Sequence, residues 1–101
     1  MNFKGSLPLL ILHTLEQGPN HGYAIATAIR ELSEGVLSFS EGTLYPTLHG
    51  LEERGLIKSL SERGEGRPRL RYQITPAGKL ALAHERTDWQ RYSQAVSTVL
   101  G

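Results

Sequence analysis

Helix-stopping and helix-starting signals divide this chain of 101 residues into five pieces, and the order of those pieces constrains the fold more than any other feature. Ser6 can cap a first helix, with Pro8 tolerated in an opening turn that has no use for its missing N–H. Leu7, Leu9, Leu10, Ile11, Leu12 and Leu15 cover almost every side of it. A helix apolar all round must be buried all round, one side against the core and the other against a second subunit. Gly18-Pro19 stops it. Asn20 is read as the cap of a second helix, where Ile25, Ile29 and Leu32 draw one apolar stripe that Val36 would continue, and Gly35 ends the helix. Leu37-Ser38-Phe39 then reads as a short extended piece.

Ser40 is the expected cap of a third helix, with Leu44, Leu48 and Leu51 as its buried stripe and Gly55 closing it. Pro46 is awkward there, because it removes one hydrogen bond and presses on the carbonyl of Gly42. Either the first turn is irregular or regular helix begins near Thr43. Two strands follow, Leu56 to Glu62, leaning on Ile57 and Leu60, and Arg69 to Ile74. The second alternates, with Leu70, Tyr72 and Ile74 on one face and Arg69, Arg71 and Gln73 on the other. Arg63 to Pro68, rich in glycine, turns the hairpin. Thr75-Pro76 starts a last helix, a capping hydroxyl followed by proline at the first helical position. In it Leu82, Trp89 and Val96 fall seven apart, Tyr92 and Val99 fill the seam, and Glu85 interrupts it. Such a seam usually lies against another helix, here the twin from a second subunit.

Helix, helix, helix, hairpin, helix is the order of a winged helix-turn-helix: mainly α with a small β-hairpin. The expected division is a DNA-binding domain over 1–75 and a dimerisation helix over 76–101, in one compact unit. Charge is sorted to match. Arg54 to Gln73 holds six basic and two acidic residues, +4, which leaves −3 for the rest of a chain whose net charge is +1. The start of the third helix would enter the major groove. Ser40, Thr43 and Tyr45 offer hydroxyls there, Gly42 lets the backbone approach phosphate, Pro46 shapes the turn, and His49 one turn on can reach a base edge or a phosphate. Tyr23 is a further candidate for a phosphate contact. On the hairpin, Lys58, Arg63, Arg67, Arg69 and Arg71 would follow the DNA backbone or the minor groove.

Other classes find little support. There is no cysteine, which removes disulfides, thiolate metal sites and cysteine nucleophiles, and fits a reducing cytoplasm. The apolar run Leu7 to Leu12 is too short to span a membrane. His84 and Asp88 are spaced as a surface pair with no nucleophile beside them, and His49 with Glu52 or Glu53 has no further metal ligands. Gly64-Glu65-Gly66 lacks the lysine and hydroxyl of a phosphate loop. No catalytic site, metal or cofactor is expected. The rival reading is a winged-helix module that recruits a protein and does not bind DNA.

His21-Gly22-Tyr23, Gly42-Thr43-Leu44-Tyr45-Pro46-Thr47-Leu48, Leu51-Glu52-Glu53-Arg54-Gly55-Leu56-Ile57, Arg71-Tyr72-Gln73-Ile74-Thr75 and Ala77-Gly78 together resemble the signature of PadR-family transcriptional regulators. The resemblance spans about Leu7 to Leu82. It implies a homodimer on double-stranded DNA, repressing from an inverted repeat, often with relief by a small molecule. The interface it implies is built by the last helix with help from the first, so Leu7, Leu10, Ile11, Leu82, Trp89, Tyr92, Val96 and Val99 are its candidates. Trp89 has two readings: an anchor of that interface, or one of two symmetry-related rings that sandwich a flat aromatic ligand.

Overall fold

The structure is a computed structural model that describes residues 4–63 and 68–101. A single 3-10 turn, Lys4–Ser6, leads into α1, Leu7–Glu16. A two-residue strand follows, β1, Asn20–His21, and then α2, Gly22–Leu32, and α3, Glu41–Glu53. The hairpin is β2, Ile57–Arg63, and β3, Pro68–Ile74, and α4 runs from Pro76 to Leu100. The sheet is antiparallel with β3 between β1 and β2.

Several local expectations hold. Pro8 sits in the opening turn of α1, and Gly18 beyond its end takes a φ of 146°, a value few other residues adopt. The Thr75 hydroxyl accepts the Gly78 N–H at 3.0 Å and donates to the Gly55 carbonyl at 2.7 Å, so one side chain starts α4 and ties it to the end of α3. Other details differ. His21, not Asn20, caps α2, because Asn20 is drawn into the sheet opposite Tyr72 while its carboxamide accepts the His21 N–H. Residues 37–40 form no strand. α3 is helical from Glu41 straight through Pro46: the surface position of Pro46 leaves its ring in solvent, and the Leu44 N–H still reaches the Ser40 carbonyl at 2.9 Å.

The core gathers one face of each α-helix and of the hairpin: Leu7, Ile11 and Leu15 of α1, Ile25 and Ile29 of α2, Leu44, Leu48 and Leu51 of α3, Ile57 of β2, Tyr72 and Ile74 of β3, and Leu82 of α4. Three residues expected at a subunit interface are therefore spent inside the protomer. Leu7, Ile11 and Leu82 are 1%, 0% and 1% exposed, which leaves them no surface for a partner. Leu32, the last residue of α2, and Val36 beyond it are exposed, so only Ile25 and Ile29 of the expected stripe reach the core. In the hairpin, Ile57 pairs with Ile74 on the inner face, whereas Leu60, three residues on, falls on the outer face beside Arg71. Leu70 keeps the inner face with Tyr72 but lies beyond the edge of the core and is half exposed.

α4 makes its tightest approach to the rest of the molecule at Gly78. A Cβ on Gly78 would lie 2.0 Å from the Leu56 carbonyl oxygen and 2.7 Å from Ile74 Cγ1. One turn on, Leu82 fills the core. At Arg86, the guanidinium donates to His13 Nδ1 at 2.6 Å and pairs with Glu16 at 3.2 Å, binding α4 to α1. Gly78→Ala should accordingly be severe, costing about 3 kcal/mol or more for backbone displacement in a packed site, read as a large fall in the urea midpoint. A midpoint within error of the parent would show that α4 does not seat here.

Candidate nucleic-acid interface

The start of α3 is an open polar end. Ser40 and Gly42 are exposed, Thr43 is half-buried, and the Ser40 hydroxyl lies 3.3 Å from that of Thr43. Neither hydroxyl is committed to the first-turn N–H groups, since Ser40 makes no side-chain cap. A Cβ at Gly42 would meet nothing nearer than the Ser40 Oγ at 3.8 Å. Packing therefore does not require glycine at this position. Pro46 and His49 are exposed further along the same helix.

Tyr45 behaves differently. Its ring lies over the backbone of Gly22, where a Cβ would come within 2.8 Å of the phenol oxygen and 2.9 Å of the ring. Glycine at the start of α2 thus lets the third helix close onto the second, and half-buried Tyr45 is the contact. Tyr23, one residue on from Gly22, is 72% exposed, its ring turned to solvent. Two clefts share these tyrosines. One, of about 230 Å³, runs between α2 and α3 past Arg30, Ser40 and Glu41. The other, of about 300 Å³, continues past His21 to Arg69 and Leu70. The end of α3 and the sheet thus form one continuous surface. Arg30 on that surface was not singled out by any sequence signal, being one charge on an amphipathic helix.

The register sorts the hairpin. Lys58, Leu60 and Glu62 of β2 share the outer face with Arg69, Arg71 and Gln73 of β3 and with His21 of β1. Lys58 and Arg69 are exposed, with no ion pair among the described residues. Arg71 is held: its guanidinium donates to Glu62 Oε1 at 2.8 Å, and the other oxygen of Glu62 meets His21 Nε2 at 3.1 Å. One carboxylate therefore bridges all three strands. The structure describes the backbone of Arg63, while Arg67 lies outside the described residues. A second carboxylate fixes the hairpin to α3, as Glu52 accepts the backbone N–H of Ser59 at 2.9 Å together with its hydroxyl.

Beyond Arg86, α4 is largely exposed. Trp89, Tyr92, Val96 and Val99 are 49%, 64%, 39% and 85% exposed and repeat at steps of three and four, an apolar seam that no described helix covers along its length. The Trp89 and Tyr92 rings stand 6.2 Å apart and tilted, beside Glu85, Asp88 and the entry to α1. Leu10, half-buried, opens on a different groove between α1 and α2. Among the described residues no cluster is placed to hold a metal ion, and no helix is long and apolar enough to cross a membrane.

The bridge at Glu62 has a measurable pH signature. Hydrogen bonds from His21 and then from Arg71 hold its carboxyl below the usual carboxylate range. A group with a lowered folded pKa stabilises the fold above its unfolded pKa, and that contribution disappears as pH falls through the folded value. Thermal melting of Glu62→Gln should therefore fall short of the parent at pH 7, and the gap should close as pH is lowered below 4.5. A gap constant from pH 7 to pH 3 would remove Glu62 as its source.

Residues 11–84 match the family described as the transcriptional regulator PadR-like family. The chain is similar to the transcriptional regulator Rv3488 of Mycobacterium tuberculosis, 39% identical over 93 residues, covering 92% of this chain and 84% of that protein. In three dimensions it resembles a transcriptional regulator from Clostridium thermocellum, with a TM-score of 0.92 at 28% identity over 97% of this chain and 96% of that one. A PadR family transcription regulator from Clostridium difficile superposes with a TM-score of 0.82 at 31% identity, over 96% of this chain and the whole of that one. The match over most of the chain agrees with the motif spacing and with the winged-helix architecture, and the protein belongs to the PadR-like family of transcriptional regulators.

Proposed function

We propose that this regulator binds double-stranded DNA as a homodimer and represses transcription from an inverted-repeat operator. The observation that carries the reading is the open start of α3. Ser40, Gly42 and Thr43 leave its first turn polar and accessible, at a glycine that packing does not require. Glycine inside a helix costs up to about 1 kcal/mol relative to alanine, so its presence in an exposed turn is accounted for by the close approach of a DNA backbone. Thr43 and His49 read bases, and Pro46 holds the shape of the helix end. Tyr23 with Lys58, Arg63, Arg67 and Arg69 follows the phosphates, and Arg71 stays with Glu62. Tyr45 serves chiefly to hold α3 on α2.

Two such helices would face successive major grooves roughly 34 Å apart. The seam of Trp89, Tyr92, Val96 and Val99 joins the subunits in this proposal, while Leu10 faces a separate groove between α1 and α2. A small flat aromatic ligand that entered beside Trp89 would change the angle between subunits and favour release, since only unequal affinity for two geometries shifts their balance. The carboxylates of Glu85 and Asp88 beside Trp89 favour a cation. Quenching of Trp89 fluorescence by planar cations is the expected result, and no change across a broad panel would remove the ligand from this mechanism.

Titration against a labelled fragment from upstream of the protein's own gene, with competitor DNA present, tests the central claim. Salt-sensitive binding that survives competitor supports it, and binding to no fragment favours recruitment of a protein partner. Gly42→Ala separates function from fold: it should raise the melting temperature slightly while weakening DNA binding. A variant that binds as tightly as the parent would disconnect this turn from DNA. Arg69→Ala should flatten the salt dependence by roughly one unit for each phosphate that the guanidinium neutralises, whereas Thr43→Ala should change preference among sequences. Val96→Glu should convert a dimer to monomers in sedimentation, and an unchanged mass would place the interface elsewhere.

A further inference from the structure

We propose that Glu62 restrains non-specific DNA affinity by keeping His21 and Arg71 occupied on the DNA-binding face. The inference rests on the DNA reading above. Lys58, Arg69, Arg71 and His21 share one face of the sheet, and among the described residues of that face the one carboxylate is Glu62. Glu62 lies directly across the strands from Arg69 and diagonal to Arg71, and it engages Arg71 and His21 with separate oxygens, at 2.8 and 3.1 Å. The site borders the start of α3, because the cleft that His21 and Arg69 line also holds Tyr23 and Tyr45, and the adjoining cleft carries those tyrosines to Ser40.

A guanidinium so held offers fewer N–H donors to a passing phosphate, and the carboxylate that holds it repels the DNA backbone. Both effects act on every sequence alike, because phosphates are everywhere on DNA. Affinity for random sequence is therefore lowered as a whole, while base contacts from α3 are untouched. With its pKa lowered by both partners, Glu62 stays ionised through the neutral range, so the restraint is permanent. His21 faces Glu62 and Arg71 on the sheet and Tyr23, Tyr45, Arg69 and Tyr72 around the cleft.

The test is binding of the full chain to a short labelled duplex of random sequence between about 50 and about 200 mM salt. Glu62→Gln should bind about tenfold more tightly at the low end, with a salt dependence steeper by about one unit, the signature of one added phosphate contact. In Glu62→Gln/Arg71→Met the added unit should disappear, a response that a merely structural role would not produce. Circular dichroism establishes that each variant is folded. If Glu62→Gln is not, Glu62→Asp, too short to reach both partners, should show a smaller gain of the same sign. An unchanged or flatter slope in folded Glu62→Gln overturns the role of Glu62 and leaves the DNA reading standing. A parent chain that binds no random duplex even at the lowest salt overturns both.

Discussion

The meeting of four chain ends at Gly55, Leu56, Thr75 and Gly78 is the constraint on which the rest of the molecule depends. There α3 stops, β2 begins, β3 ends and α4 starts, all gathered around the Leu56 backbone. The Thr75 N–H donates to the Leu56 carbonyl at 3.1 Å, the Thr75 hydroxyl takes the Gly55 carbonyl, and Gly78 lies on the same Leu56 oxygen. A recognition helix is useful only if its angle to the rest of the molecule is fixed. This junction fixes it against both the hairpin and the final helix, with Glu52 adding a second tie to β2.

Close approach of backbone explains two glycines in the motifs. Gly22 admits the ring of Tyr45, and Gly78 admits the carbonyl of Leu56. An added methyl would displace the Tyr45 ring at Gly22, and at Gly78 it would force apart two backbones that the fold needs in contact. Gly42 belongs to a different class, since nothing among the described residues approaches it closely. The same residue type thus marks two internal contacts and one outward-facing opening, and only the three-dimensional packing tells them apart.

Much of this was legible in the residue order. Thr75-Pro76, the alternation of Arg69 to Ile74 and the stripe Leu44, Leu48, Leu51 are short-range signals whose physics is local, and they placed α4, β3 and α3 correctly. What escaped was long-range. β1 is two residues long, too short to carry a period, and exists only because β3 offers it an edge. An all-round apolar α1 announces burial but not by which neighbour, so Leu7 and Ile11 looked available to a second subunit when the protomer's own helices enclose them. Likewise Arg71 read as one more cation of the wing. Its partner Glu62 is nine residues away, and His21 stands 41 residues from Glu62, a distance no pattern spans.

The attachment of α4 also gives the molecule a mechanical character. Among the described residues its last polar tie to α1 is at Arg86, and the fourteen residues from there to Leu100 extend about 21 Å at 1.5 Å per residue. That segment is a lever whose fulcrum is the guanidinium between His13 and Glu16. A rotation of about 5° there, within the scatter of helix packing angles, carries the tip through about 2 Å. Small adjustments of one contact on α1 are thereby geared up at the far end of the helix.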